Sequence, residues 1–244
     1  MCGIVGYVGE QKNAKEVIVE GLKRLEYRGY DSAGIALCRE GSIEIRKHVG
    51  EIRNLEKIIT DPRFESNVGI GHTRWATHGA PSDLNAHPHS NTDSTIAVVH
   101  NGIIENYVEL REWLVEEFGV KFKSDTDTEV IAHLVGIYYD GDLHQAVNRA
   151  VEQMRGAYAI GVIAAQEPDK IVAVRKDAPL VAGLGQGCNF IASDIPALLK
   201  YVRRIYLIEN NETVVLTKDD IKIYDENQKI VKREVFHVTW DRCV

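Results

Sequence analysis

The order of elements along this 244-residue chain predicts an α+β domain of antiparallel sheets layered with helices. Three observations carry that prediction. Up to residue 99 the chain is mostly short apolar strands, stopped by glycines and polar turns. Helical spacing takes over from Tyr107 to Met154, and short strands return beyond Gly156 with brief connections between them.

Each element has its own signal. Ile4–Val8 is an apolar strand ended by Gly9. From Ala14, the positions Val17, Ile18, Gly21, Leu22 and Leu25 recur at helical spacing, and a polar, glycine-rich loop runs from Glu26 to Gly34. Strands are expected at 35–37 and 43–47, a weaker helix at 52–59 and a strand at 68–72. A long polar loop from Pro81 to Asp93 precedes a buried strand at 95–99, which runs into His100-Asn101-Gly102. Tyr107, Leu110, Leu114 and Phe118 share a helical face. Thr126-Asp127-Thr128-Glu129 fits a capping box ahead of a helix at 130–138. Leu143 to Met154 marks one more helix. Strands follow at 157–164, 171–174, 180–183, 190–192, 205–208, 213–216, 221–224 and 230–232, with a short helix near 196–200. Neither a Pro/Gly/Ser-rich linker nor an internal repeat divides the chain, so one domain over 1–244 is expected.

Composition narrows the function. With 44% hydrophobic and 27% charged residues the chain is long enough for a sizeable core. A net charge of −7 and the lack of a basic tract argue against a nucleic-acid surface. No apolar run approaches a membrane span, and neither a signal peptide nor an N-myristoylation glycine is evident. The four cysteines, Cys2, Cys38, Cys188 and Cys243, are scattered and form no C-x-x-C pair. A reducing cytoplasm is the expected compartment.

The chemistry begins at Cys2. Once Met1 is removed, that residue carries a thiol and a free α-amine on one α-carbon, so a nucleophile and its base sit together. Gly3 is expected to leave room for a substrate. Arg74, after a strand, is suited to grip a carboxylate through two parallel hydrogen bonds. The Asn101 amide and the Gly102 N–H are suitable oxyanion donors, and Asp127 at a helix start is suited to a substrate ammonium. Taken singly, these three positions also fit plainer roles: a surface ion pair, a turn and a helix-dipole charge. Five histidines, His72, His78, His87, His89 and His100, crowd one stretch. No carboxylate or cysteine stands at a familiar metal-ligand spacing, so they read as loop-forming hydrogen-bonders or substrate contacts.

Four stretches together resemble one family. They are the Met1-Cys2-Gly3-Ile4-Val5-Gly6 start, the run from Leu25 through Tyr27-Arg28-Gly29-Tyr30 to Gly34, His72-Thr73-Arg74-Trp75-Ala76-Thr77-His78-Gly79, and the run from His100-Asn101-Gly102 to Asn106. In order and spacing they are similar to the glutaminase (type 2 glutamine amidotransferase) domains of the glucosamine-6-phosphate synthases, the isomerising glutamine–fructose-6-phosphate aminotransferases. Phosphoribosylpyrophosphate amidotransferases share the Cys-Gly-Ile start but typically have His-Arg-Gly-Gln where this chain has Tyr27-Arg28-Gly29-Tyr30, and asparagine synthetases typically have His-Arg-Gly-Pro there.

The resemblance implies an N-terminal-nucleophile hydrolase fold, a four-layer αββα sandwich. It implies Cys2 as nucleophile with its α-amine as base, and Asn101 with Gly102 as oxyanion hole. Arg74 would hold the glutamine carboxylate and Asp127 its ammonium. Trp75, Thr77, His78 and His87 would belong to the loop region covering the site, and Arg28 and Gly29 to a loop supporting the nucleophile. Neither a metal nor a cofactor is implied. The implied activity is release of glutamate and ammonia from glutamine. In the family the ammonia passes to sugar-phosphate isomerase domains of a homo-oligomeric parent and aminates fructose-6-phosphate, a step of amino-sugar synthesis. The chain stops at Val244, where the family continues, and Arg242-Cys243-Val244 does not match the family pattern. A glutaminase domain without the isomerase region is the expectation. A histidine-based metal hydrolase and a non-catalytic amino-acid sensor are the competing readings.

Overall fold

The computed structural model describes residues 2–28, 30–39, 41–75 and 79–240, and of Arg28 only the backbone. Among them the first half runs β1 (Gly3–Gly9), α1 (Ala14–Lys23), β2 (Ser32–Arg39), β3 (Ser42–Val49), α2 (Ile52–Ile58), β4 (Val68–Arg74), β5 (His89–Ser90) and β6 (Ile96–Ile104). Helices α3 (Tyr107–Phe118), α4 (Thr128–Tyr138) and α5 (Leu143–Gln153) follow. The last part is β7 (Gly156–Ala164), β8 (Ile171–Lys176), β9 (Val181–Leu184), β10 (Cys188–Ala192), β11 (Arg204–Leu207), β12 (Glu212–Leu216), β13 (Ile221–Tyr224), β14 (Ile230–Val231) and β15 (Phe236–His237).

The strands form two antiparallel sheets. One has the order β15-β11-β9-β10-β1-β4-β2-β3, the other β14-β13-β12-β8-β7-β6-β5. Their layering follows from the two-residue period of a strand, which sends alternate side chains to opposite faces. In β1, Val5 and Tyr7 pack with Val17, Ile18 and Leu22 of α1, while Ile4 and Val8 point to the second sheet. In β6, Ala97 and Val99 face the first sheet, and Ile96 and Val98 face α3, α4 and α5. Three apolar cores therefore separate four layers, helix, sheet, sheet and helix. Each fully buried Leu or Ile contributes about 1.5–3 kcal/mol, so both helical layers are held mainly by such contacts.

Several details depart from the sequence reading. Asn101 and Gly102 do not form a strand-to-helix turn; they continue β6, pairing with Ala159 and Tyr158 of β7. The capping box does not form. Glu129 accepts instead from the Lys123 and Ser124 amides, at 2.8 and 2.6 Å, and so ties down the loop before α4. The loop after α1 ends earlier than expected, because β2 already starts at Ser32. The space at Gly3 is taken by protein: a Cβ there would lie 2.6 Å from Thr73 Oγ1 and 3.0 Å from Leu25 Cβ. Gly3 thus serves close packing of β1 on β4 and the end of α1, and leaves no room for a substrate. The edge strand β15 has too short an apolar run to stand out in sequence.

Candidate active site

The same period places the site. Val68 and Ile70 of β4 face the second sheet, so His72 and Arg74 extend that face toward the end of the strand. Across the gap, Asn101 follows Ala97 and Val99 on the inward face of β6. Cys2 directly precedes β1, whose Gly3 pairs with Thr73. Two sheets therefore deliver Cys2, Arg74 and Asn101 to one end of the inter-sheet layer.

There they surround a cavity of about 530 Å³, lined also by Trp75, His87, Gly102, Asp127 and Asp177 among others. The Cys2 sulfur accepts the Trp75 N–H at 3.2 Å. Burial pushes the thiol pKa up, while the Trp75 amide and the nearby Arg74 guanidinium pull the other way. The Asn101 amide nitrogen donates to the Cys2 carbonyl at 3.0 Å, and its oxygen lies 2.9 Å from His72 Nε2. Gly102 has φ +124°, and a Cβ there would come within 2.0 Å of the Ala157 carbonyl oxygen, so glycine is required.

Two buried, opposite charges line this cavity beside the exposed Asp177. Arg74 is 3% exposed and donates from Nη2 to the Gly79 carbonyl at 3.0 Å. Asp127 is 4% exposed and accepts the Ile104 N–H at 2.8 Å. Burying a carboxylate costs several kcal/mol unless partners compensate. Asp127 stands at the N-cap position of α4, yet its side chain caps no helix amide. Its charge still stands at the positive end of the α4 dipole, while its hydrogen bond goes to β6.

Four of the five histidines cluster at the cavity wall, His87 and His100 lining it and His72 and His89 behind them. The rings of His72 and His87 stack with centroids 4.1 Å apart, and His89 meets His87 edge-on at 4.9 Å. His100 Nδ1 and His87 Nε2 share Thr128 Oγ1, at 2.9 and 3.3 Å. His87 lines the cavity and is only 5% exposed, so it is part of the wall. Burial lowers the His72 pKa to about 3 and holds those of His87 and His89 well below normal. Among the described residues no group of three or more His, Cys, Asp or Glu is placed to hold a metal ion.

Of the residues expected from sequence, Cys2, Arg74, Trp75, His87, Asn101, Gly102 and Asp127 share the cavity. Thr77, His78, Gly29 and the Arg28 side chain lie outside the described residues. The backbone of Arg28 closes the 3-10 turn Glu26–Arg28, beyond the Leu25 that packs on Gly3. Sequence reasoning missed Thr126, Thr128 and the Asp177-Ala178-Pro179 stretch of the wall. The signal for that stretch was its position, a proline-containing connection between two buried strands.

No helix among the described residues is long and apolar enough to cross a membrane. The chain is 59% identical to a glutamine–fructose-6-phosphate aminotransferase (isomerizing) of Clostridium perfringens, over 99% of this chain and 39% of the relative. Identity to the Clostridium tetani enzyme of the same name is 58%, again over 99% and 39%. The chain thus spans about two fifths of the length of these relatives. Among solved structures, the glutamine phosphoribosylpyrophosphate amidotransferase of B. subtilis matches with a TM-score of 0.78 at 24% identity, covering 94% of this chain and 50% of that one. A glutamine aminotransferase class-II domain protein from Silicibacter pomeroyi gives 0.62 at 15% identity, covering 92% and 99%. The αββα sandwich is thereby a fold that this chain shares with these two proteins. The family model of the glutamine amidotransferase domain matches residues 72–200, more than half of the sequence, and this chain belongs to that family.

Proposed function

We propose that the protein hydrolyses the side-chain amide of glutamine through a thioester on Cys2. The observation that carries this reading is the convergence of Cys2, Asn101, Gly102, Arg74 and Asp127 on one cavity. A free α-amino acid needs an anionic and a cationic partner; Arg74 is the cation of this wall and Asp127 its buried anion, whereas Asp177 is exposed. The Arg74 guanidinium takes the α-carboxylate and the Asp127 carboxylate the α-ammonium, which points the side-chain amide at Cys2.

With Met1 removed, the α-amine of Cys2 takes the thiol proton and the sulfur attacks the amide carbon. Burial, the largest influence on the thiol, raises its pKa, so a base beside the sulfur favours the attacking thiolate. The oxyanion is met by the Gly102 N–H and the Asn101 Nδ2, whose second hydrogen is left over from the bond to the Cys2 carbonyl. The amine then protonates the departing ammonia, and water cleaves the thioester to glutamate. In the longer parent that the relatives suggest, the ammonia is passed to isomerase domains and aminates fructose-6-phosphate, giving glucosamine-6-phosphate. That parent is a homo-oligomer in this reading.

The test is glutamate release from glutamine by protein whose first residue has been read by mass spectrometry. Protein beginning at Cys2 is expected to turn over and its Cys2→Ala variant to be inactive. Full turnover by protein that retains Met1 would refute the amine as base, and full turnover by Cys2→Ala would refute the thioester.

A further inference from the structure

His72 lies between the two sheets, against Asn101, and is fully buried. It lines no part of the cavity, yet it is the residue that touches Asn101 from behind. Its Nε2 lies 3.0 Å from the His100 carbonyl oxygen, which can only accept, so Nε2 carries the hydrogen. The Asn101 atom 2.9 Å from the same nitrogen must then be the amide oxygen. On its other side, Asn101 meets the Cys2 carbonyl at 3.0 Å, again a pure acceptor, which requires the amide nitrogen there. Two independent contacts thus fix one of the two ways the Asn101 amide can face.

We propose that His72 is a positioning residue: its Nε2–H holds the Asn101 side-chain oxygen, so that the Asn101 NH2 faces Cys2 and the reacting amide. This rests on the hydrolysis of glutamine proposed above. The contact runs from β4 of one sheet to β6 of the other, so it also sets the distance between the two halves of the site. The ring suits the task because it has one tautomer to offer. Nδ1 is buried without a hydrogen-bond partner among the described residues. The stacked His87 ring shields the imidazole from water. Burial keeps the ring neutral, with a pKa lowered to about 3. A protonated ring would still donate from Nε2, so the value of neutrality lies in sparing the wall a buried positive charge next to Arg74.

The experiment compares His72→Met, which keeps the bulk and loses the donor, with His72→Gln, which retains an N–H at a similar reach. Glutamine turnover is measured for each, alone and combined with Asn101→Ala. Alkylation of Cys2 by iodoacetamide, located by peptide mass mapping, reports whether the thiol and its surroundings are intact. His72→Met is expected to lower kcat on the order of 10- to 100-fold, with KM and Cys2 alkylation changed by no more than about 2-fold. His72→Gln should recover most of that loss. In the Asn101→Ala background His72→Met should cost no more than about 2-fold, because the group it positions is gone.

Equal losses from His72→Met with and without Asn101 overturn the proposal. So does a wild-type kcat in His72→Met, or a His72→Gln as slow as His72→Met. A fall in Cys2 alkylation parallel to the fall in kcat also overturns it, since the residue is then a general packing element. Wild-type protein beginning at Cys2 that releases no glutamate would sink the proposed function itself, whereas the outcomes above leave that function standing.

Discussion

The Asp127 carboxylate reaches past the helix it precedes and accepts the backbone N–H of Ile104, 2.8 Å away in β6. That bond links the helical layer to the strand carrying Asn101 and Gly102, three and two residues back along the chain. It occupies one carboxylate oxygen and leaves the other for the cavity. The loop holding Asp127 is itself tied by Glu129, which accepts from the Lys123 and Ser124 amides and from the Ser124 hydroxyl. The anionic wall of the site is therefore built by hydrogen bonds to backbone, and its rigidity does not depend on a bound substrate.

Asp127→Asn isolates the charge. The amide retains an oxygen for the Ile104 N–H, so thermal stability should change little. A hydrogen bond to a charged group contributes about 1.5–3 kcal/mol, so kcat/KM for glutamine should fall by roughly 10- to 100-fold. An analogue with masked α-amine and α-carboxylate should be turned over by the variant as by the wild type. The same ratio of glutamine to masked amide in variant and wild type would leave Asp127 with no part in substrate recognition.

Arg74→Lys tests the opposite wall. The positive charge is kept, but an ammonium cannot reproduce the planar two-pronged contact, nor reach the Gly79 carbonyl in the same way. KM for glutamine should rise by at least about 10-fold while the rate of Cys2 alkylation stays near normal. A lysine variant with wild-type KM would mean that point charge alone is read at this position.

Gly102→Ala is expected to damage fold and chemistry together. At φ +124° a side chain is strained, and its Cβ would sit 2.0 Å from the Ala157 oxygen of the paired strand. The β6–β7 pairing must open locally, at a cost of about 2 kcal/mol or more. Both the melting temperature and kcat should drop. An alanine variant that melts with the wild type would show that the strand relaxes freely, and the strict need for glycine would be withdrawn.

Much of the layering was legible because strand and helix periods differ and each element keeps one period. The site was legible only in part. Cys2 and Arg74 stand out by position, one at the terminus and one at a strand end. Asn101 and Gly102 resemble a turn dipeptide, and only the pairing with Ala159 and Tyr158 reveals that they continue a strand. His72 falls at the end of a predicted strand, but the sequence gives its side chain no partner; it occupies β4 two residues beyond Ile70 on the buried face. Its partner Asn101 is 29 residues away on the other sheet, and no local pattern encodes that meeting. Asp177 and Pro179 reach the cavity from the β8–β9 connection for the same reason: tertiary packing brings them there.

The histidine cluster predicts how the protein responds to acid. Burial is the largest cause lowering His72 to about 3 and His87 and His89 well below the ordinary value. Lys47 and Arg74 lower His89 further, and Glu129 opposes them. His144, partly buried against Tyr224, is lowered by burial as well. In the unfolded chain each ring titrates near 6.5. As the pH falls through that value the unfolded state takes up protons that the folded state refuses, so stability present above about 6.5 is lost below it. Each such ring removes up to about 1.4 kcal/mol per pH unit. Glu129, whose burial is outweighed by bonds from His133, Ser124 and the Lys123 amide, lies at about 2 and adds its own loss only below about 4.5. The interval from pH 6.5 to 5.5 therefore reports the histidines. Urea midpoints across it should decline steeply, and His89→Gln, whose amide can still bond Thr126 Oγ1, should flatten that decline by removing one titrating ring. A flat wild-type profile would show that the cluster is hydrated and protonates within the fold. An unaltered slope in His89→Gln would shift the acid response to the other rings, His72 and His87 first, because they are stacked closest together.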